Sequence, residues 1–225
     1  MAVQYNASPM VTDGLVLALD AGNAKSYPGS GTTWNDLSGN GNNGTLVNGV
    51  GYDSGNGGAL SFDGVNDYVQ LSSPLFTSFS SISISSFIKF NTTSESCQIF
   101  DMRDGSGDGP SLLMSNPEGN VLYSSMNSSN ISGNNTIVSG LVYYVTLTYD
   151  GSVAKIYLNG SIDNTKNISE TFNISVNPTI ATRSFSIGSA NKSNCNIYNM
   201  TVYNRALTAS EIQQNFNALR GRFGI

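Results

Sequence analysis

Hydrophobic residues in this chain recur with a period of two, in short runs broken by Gly, Asn and Asp, and that pattern restricts the fold more than any other feature. In Ile82-Ser-Ile-Ser-Ser-Phe-Ile-Lys-Phe90, the side chains of Ile82, Ile84, Ile88 and Phe90 fall on one face of an extended segment, and Ser83, Ser85 and Lys89 on the other. Tyr143, Val145, Leu147 and Tyr149 share a face in the same way. That run ends at Asp150-Gly151, ahead of Val153-Ala-Lys-Ile-Tyr-Leu158. Asp-Gly is favoured in tight turns, so the two runs read as a β-hairpin, and Asn159-Gly160 closes the next corner. Further strands are expected at Leu15–Leu19, Gly58–Phe62, Tyr68–Leu71, Phe185–Ile187 and Ile197–Tyr203.

One helix interrupts this pattern. Thr208-Ala-Ser-Glu211 has the spacing of a capping box, and Ile212, Phe216 and Leu219 follow at helical intervals. The helix is expected to end near Gly221 and to cover one end of the molecule. No linker divides the 225 residues, a length that suits one large all-β unit. Many strands, long Gly/Asn loops and one short helix imply two stacked antiparallel sheets.

Only 11% of the residues are charged, against roughly 25% in an ordinary soluble domain. Polarity comes instead from Asn, Ser, Thr and Gly, groups that make short, wet hydrogen bonds. Such a surface suits sugar binding or packing in a large assembly, although compositional drift in the source genome gives the same result. The net charge of −5 and the scattered Lys25, Lys89, Lys155, Lys166 and Lys192 exclude a nucleic-acid footprint. No apolar run approaches the roughly 18 residues of a membrane span. The start, Met1 to Met10, has neither the basic nor the apolar part of a signal peptide, so the chain is expected to be made in the cytosol without one.

The chain contains no histidine, which removes Ser-His-Asp, Cys-His and His-metal chemistry. A glycosidase needs two facing carboxylates, yet Glu95, Glu118, Glu170 and Glu211 each lack a carboxylate at i+2 or i+4. No catalytic residue is assigned, and the chain is not expected to be an enzyme. Asp104-Gly-Ser-Gly-Asp-Gly109 starts like an EF-hand loop, but Ser115 stands where the bidentate Glu belongs, so a hairpin turn is expected. Asp36-Leu-Ser-Gly-Asn-Gly-Asn42 offers better oxygen donors; a structural Ca2+ there stays open, and no metal ligand or cofactor is assigned. Cys97 and Cys195 are expected to be free buried thiols, with a disulfide left open.

A sugar site needs an aromatic platform beside amide and hydroxyl groups. Trp34, the sole tryptophan, either stacks on a ring or plugs the core, and the loop residues Tyr27, Tyr52 and Tyr123 are further candidates. Two tails flank the main unit, residues 1–13 and 220–225. Val3, Tyr5 and Met10 in the first, and Arg220, Arg222 and Phe223 in the second, are expected to make assembly contacts, the alternative being packing on their own domain.

Several longer segments are specific. They are Gly14-Leu-Val-Leu-Ala-Leu-Asp20, Trp34-Asn-Asp-Leu-Ser-Gly-Asn-Gly-Asn-Asn-Gly-Thr45 and Leu60-Ser-Phe-Asp-Gly-Val-Asn-Asp-Tyr-Val69, then Thr148-Tyr-Asp-Gly-Ser, Ile156-Tyr-Leu-Asn-Gly160 and Val202-Tyr-Asn-Arg-Ala-Leu-Thr-Ala-Ser-Glu-Ile212. In order and wording, they resemble the laminin-G-like (LamG) branch of the concanavalin A-like lectin/glucanase superfamily, across residues 14–219. The wording is similar to single-domain structural proteins of tailed bacteriophages. The resemblance implies a two-sheet jelly roll with one short C-terminal helix, carried on a virion as a capsid decoration or tail-fibre component. Its implied partners are other virion proteins, copies of itself and host-surface glycans, with no nucleic acid and no membrane. The alternatives are a carbohydrate-binding module or adhesin, and then a divergent glycoside hydrolase.

Overall fold

Residues 9–187 and 193–225 are described by a computed structural model. Its strands in chain order are β1 Leu15–Asp20, β2 Thr33–Trp34, β3 Gly44–Val47, β4 Gly51–Asp53, β5 Ala59–Asp63 and β6 Tyr68–Leu71. Next come β7 Ile82–Phe90, β8 Cys97–Asp101, β9 Ser111–Ser115, β10 Val121–Met126, β11 Ser129–Thr136 and β12 Val142–Tyr149. The last are β13 Val153–Leu158, β14 Ser161–Asn167, β15 Thr179–Ile180, β16 Asn194–Ile197 and β17 Asn199–Tyr203, ahead of helix α1 at Ala209–Leu219.

These strands form two antiparallel sheets stacked as a jelly-roll sandwich. The first runs β14-β13-β12-β7-β16-β5-β4, with β17 also on β7 and β1 on β17. The second runs β11-β10-β9-β8-β15-β6-β3-β2. Strand β7 pairs in unbroken register with β12, from Val142 opposite Lys89 to Tyr149 opposite Ile82. On its other side, β16 and β17 are separated by Tyr198. The Asn199 side chain repairs the break by accepting the Phe87 amide at 2.7 Å.

The alternation seen in the sequence places Ile82, Ile84, Ile88 and Phe90, with Val145, Leu147 and Tyr149, in the core between the sheets. The opposite face of β7 is also buried. There Phe87, Tyr144, Tyr157, Tyr198 and Tyr203 pack beneath Leu207, Ile212 and Phe216. Ser83 survives burial because its hydroxyl donates to the Arg205 carbonyl and accepts the Leu207 amide, both at 2.8 Å. Helix α1 therefore lies on the outer face of the first sheet and not over an end of the sandwich.

One expected turn forms as read, while another turn and one expected strand come out differently in detail. Asn159 and Gly160 both have positive φ, 51° and 81°, as a type I′ turn requires. In the β12–β13 hairpin, Asp150 pairs with Val153, so Gly151 and Ser152 are the central residues. Gly151 supplies φ 95° at the first of them, and the Asp150 carboxylate caps the Ser152 and Val153 amides. Phe185–Ile187 is a turn; both apolar side chains are exposed, and Thr179–Ile180 takes the place between β6 and β8 instead. Cys97 and Cys195 are free, buried thiols on opposite sheets. Burial, and then the neighbouring Cys97 thiol, push the Cys195 thiol well above its ordinary value.

Of the tail residues expected to bind other chains, the described ones, Met10, Arg220, Arg222 and Phe223, contact their own chain. Arg222 forks onto Asp20 at 2.8 Å and onto the carbonyls of Asn56 and Gly58, while Phe223 stacks on Phe87 with ring centres 4.6 Å apart. Arg220 lies over the Phe216 ring and bonds the Ile225 carbonyl. Met10 is half-buried, and its neighbours are tied down by Val11 N to Asn215 Oδ1 at 2.8 Å and Gln214 Nε2 to the Pro9 carbonyl at 2.6 Å. Apolar rings and a guanidinium with three local acceptors find their partners within the chain. Val3 and Tyr5 lie outside the described residues.

The capping box of α1 forms as the sequence predicts, between Thr208 and Glu211. Glu211 also accepts from both Arg205 terminal nitrogens, at 2.6 and 3.0 Å. The Arg205 bonds, opposed by partial burial and aided by Thr208, lower the Glu211 carboxyl from 4.5 to about 2. A lowered folded value contributes stability that is present above the unfolded value and lost as pH falls through the folded one. Urea unfolding of Glu211→Gln should therefore show a loss of about 1–2 kcal/mol at pH 7, after discounting for partial exposure. The deficit is expected to shrink between pH 4.5 and 2. A deficit independent of pH would contradict the pairing.

Candidate functional site

A cleft of about 280 Å³ opens against the second sheet. Leu112 and Met114 of β9 and Leu122 and Met126 of β10 face the core, so alternation turns Leu113, Ser115, Tyr123 and Ser125 outward. Leu113 and Tyr123 are directly opposed across the two strands, and both line the cleft with Ser115 and Ser125. The remaining walls are Ser96, Arg103, Arg183, Pro117 and Glu118.

Arg103 is fixed from beneath. Asp101, fully buried at the end of β8, accepts from the Arg103 amide at 2.9 Å and from Nε at 3.0 Å, and Nη2 closes the ion pair. The Ser184 hydroxyl adds a fourth bond to Asp101 at 2.8 Å. Every lone-pair direction of the carboxylate is thereby used. Phe185, 40% exposed, lies near two guanidiniums, with Arg103 at 5.2 Å and Arg183 at 6.0 Å from its ring centre. Residues 181–187 thus carry Arg183 and Phe185 to the rim.

The β9–β10 turn forms the facing wall. Asn116 fastens it, donating its side-chain amide to the Thr93 carbonyl at 2.8 Å and to Asn120 Oδ1 at 2.9 Å, while its backbone amide reaches the Ser96 hydroxyl. This turn holds Glu118 at the cleft mouth. Burial, and then the Glu118 carboxylate, raise the Tyr123 phenol, with Arg103 opposing. The phenol is a donor at neutral pH.

Of the four aromatic candidates, Tyr123 alone lines this cleft. Trp34 is fully buried in the core and offers no face to a ligand. Gly44, its partner on β3, has no room for a side chain, because the Val69 methyl stands where a Cβ would be. Tyr27 and Tyr52 come together elsewhere, with ring centres 5.5 Å apart. Tyr27 is buried with its hydroxyl on the Gly31 carbonyl, leaving Tyr52 as the exposed member. Sequence reading missed Arg103, Arg183 and Phe185. Alternation along 111–115 and 121–126 could have exposed the outward face, but nothing local ties it to residues 183–185.

The loop singled out for calcium is closed by its own bonds. Asp36 accepts the amides of Ala18, Ser38 and Asn42 and the Ser38 hydroxyl, at 2.7–3.0 Å. A cation there would have to displace those donors. Among the described residues, no three Cys, Asp or Glu side chains converge as a metal site. Asp104 caps the amides of Ser106 and Asp108 in a turn, as expected for that segment.

The two stacked antiparallel sheets define a jelly-roll sandwich of the concanavalin A type. The profile of the laminin-G type matches residues 63–213, and the chain belongs to the concanavalin A-like lectin/glucanase superfamily. Among curated proteins, none matches at the sequence level. Solved structures share the fold at low identity. Domain 4 of an extracellular GH43 arabinanase from Geobacillus stearothermophilus, in complex with arabinotriose, is 18% identical with a TM-score of 0.66, covering 89% of this chain and 97% of that one. The binding domain of Paraclostridial Mosquitocidal Protein 1 is 20% identical with a TM-score of 0.70, covering 92% of this chain and 52% of its own. The Trypanosoma rangeli sialidase is 17% identical with a TM-score of 0.65, covering 92% and 33%. The chain therefore spans nearly all of the arabinanase domain but half the toxin domain and a third of the sialidase.

Removing one partner of a buried ion pair leaves an uncompensated charge. Asp101→Asn is expected to cost about 3–5 kcal/mol in urea unfolding, and adding Arg103→Met should recover most of it. Additive losses in the double variant would contradict a coupled pair.

Proposed function

We propose that the chain is a non-catalytic carbohydrate-binding domain whose ligand lies in the cleft on the second sheet. The observation that carries this reading is the convergence there of one aromatic ring, two guanidiniums, that of Arg103 fixed by Asp101, and three serine hydroxyls. Sugar rings place C–H faces on aromatic rings and exchange hydroxyl hydrogen bonds with such donors. Glu118 is the one carboxylate among the described lining residues, since Asp101 lies buried beneath with its oxygens occupied. Glycosidic hydrolysis by a facing carboxylate pair has no support in that arrangement. The arabinotriose bound by the arabinanase domain adds weight to a sugar ligand.

Titration with an oligosaccharide panel tests this. Binding in the micromolar to millimolar range is expected, weakened about tenfold or more by Tyr123→Ala with the fold retained, as loss of a stacking platform worth about 1–2 kcal/mol requires. Absence of binding, turnover of a glycan, or indifference to Tyr123→Ala would each count against it.

A second reading keeps the domain as a structural component of a tailed-phage virion, decoration or fibre, with the cleft facing host glycans. It is supported by the wording of residues 14–219 and by the charge-poor surface. Arg222 and Phe223 are engaged by their own sandwich, so they give this reading no support. Gold-antibody labelling of particles from the source should then decorate heads or tails, and unlabelled particles would sink this reading.

A further inference from the structure

We infer that Cys97 and Cys195 are a covalent modification site, a pair of thiols that a disulfide oxidant converts into a cross-link between the two sheets. The glycan-binding reading neither supports this nor depends on it.

Strand register aims both side chains into the same space. Cys195 lies on β16 directly between Phe62 of β5 and Phe90 of β7, and Cys97 on β8 stands opposite Met114 of β9. Phe62, Phe90 and Met114 are fully buried in the core between the sheets. Residues directly opposite on adjacent strands share a face, so the two thiols enter that core from opposite sides.

Sheets stacked face to face ordinarily stand about 10 Å apart, too far for a disulfide, whose Cα atoms lie within about 7 Å. Here the sheets converge. The Ser193 hydroxyl, two residues before Cys195, donates to the Gln98 carbonyl, next to Cys97, at 2.8 Å. A side chain only one carbon long reaches the opposite backbone where the two layers pinch together. The effect of the Cys97 thiol on Cys195 agrees, because after burial it is the next cause of the raised Cys195 thiol and acts at short range.

In the closed fold, Cys97 is 2% exposed and Cys195 wholly buried, and a raised thiol supplies little thiolate. Exchange therefore proceeds when this end of the sandwich opens, or before it closes. One thiolate attacks a sulfur of oxidised glutathione and expels a glutathione thiolate. The second then attacks the mixed disulfide and expels the other. The two cysteines give up two protons and two electrons, and the oxidant leaves as two molecules of reduced glutathione. The bridge closes a loop of about a hundred residues. It also anchors β8 beside Ser96, which lines the cleft, and ahead of Asp101, which holds Arg103.

The test equilibrates the full chain with mixtures of reduced and oxidised glutathione, in buffer and in concentrated urea. Equilibrium is approached from the reduced chain and from chain oxidised in urea. Alkylation followed by intact mass gives the fraction that has lost two hydrogens, and peptide mapping identifies the bridge. The folded chain is expected to favour the Cys97–Cys195 bridge about a hundredfold more than the unfolded one, as a monomer with the native circular dichroism. Through linkage, the same factor raises the urea midpoint of the oxidised chain by about 1 M over the reduced one. Three results overturn the inference: equal oxidation in buffer and in urea, two free thiols in the folded chain at every glutathione ratio, or an oxidised chain that cannot regain the native spectrum under conditions where the reduced chain does.

Discussion

Strand β7 is buried on both faces, and this double burial dictates the layout of the molecule. One face, Ile82, Ile84, Ile88 and Phe90, closes the core between the sheets. The other, with Phe87 at its centre, needs a second cover, supplied by α1 and the C-terminal turn through Phe216 and Phe223. A sheet covered on both sides cannot present a binding surface. Among the described residues the second sheet carries no such helix on its outer face, and the cleft lies there. Its polar rim follows from the same asymmetry, because alternation sends Ser115, Tyr123 and Ser125 outward once Leu112, Met114 and Leu122 are claimed by the core.

Within the cleft, the Asp101–Arg103 pair is the costly element. A buried ion pair adds little net stability compared with apolar packing, so its value lies in fixing a guanidinium in one orientation. Ser184 and Phe185 come from a segment distant in sequence and complete that restraint. Preorganised donors reduce the entropy lost when a flexible, hydroxyl-rich ligand binds.

The long alternating runs made the first sheet legible: β7 and β12 turn to the core the faces the sequence assigns, β13 follows as the expected hairpin partner, and the capping box marks the start of α1. The second sheet was harder to read. Its strands β8 to β11 carry Ser, Gln and Met on buried faces, where Gln98 bonds the Phe100 and Leu112 carbonyls and Ser193 bonds the Gln98 carbonyl, so hydrophobic periodicity fades. Ser83 and Ser85, on the face opposite the apolar one, are buried too, because hydroxyls bonded to the Arg205 carbonyl or to Thr146 tolerate the interior. The site was read least well. Trp34 drew notice as the rarest aromatic residue, and burial removed it. Arg103 and Arg183 are separated by eighty residues and meet only through the pairing of β8 with β15.

The central claim is that ligand binds on the outer face of the second sheet. Amide chemical-shift mapping during titration with a bound oligosaccharide tests it most directly. Shifts confined to Leu113, Ser115, Tyr123, Ser125 and the flanking Arg103 and Arg183 are predicted. Shifts gathered instead around Tyr27 and Tyr52, or spread over α1 and the first sheet, would contradict the account.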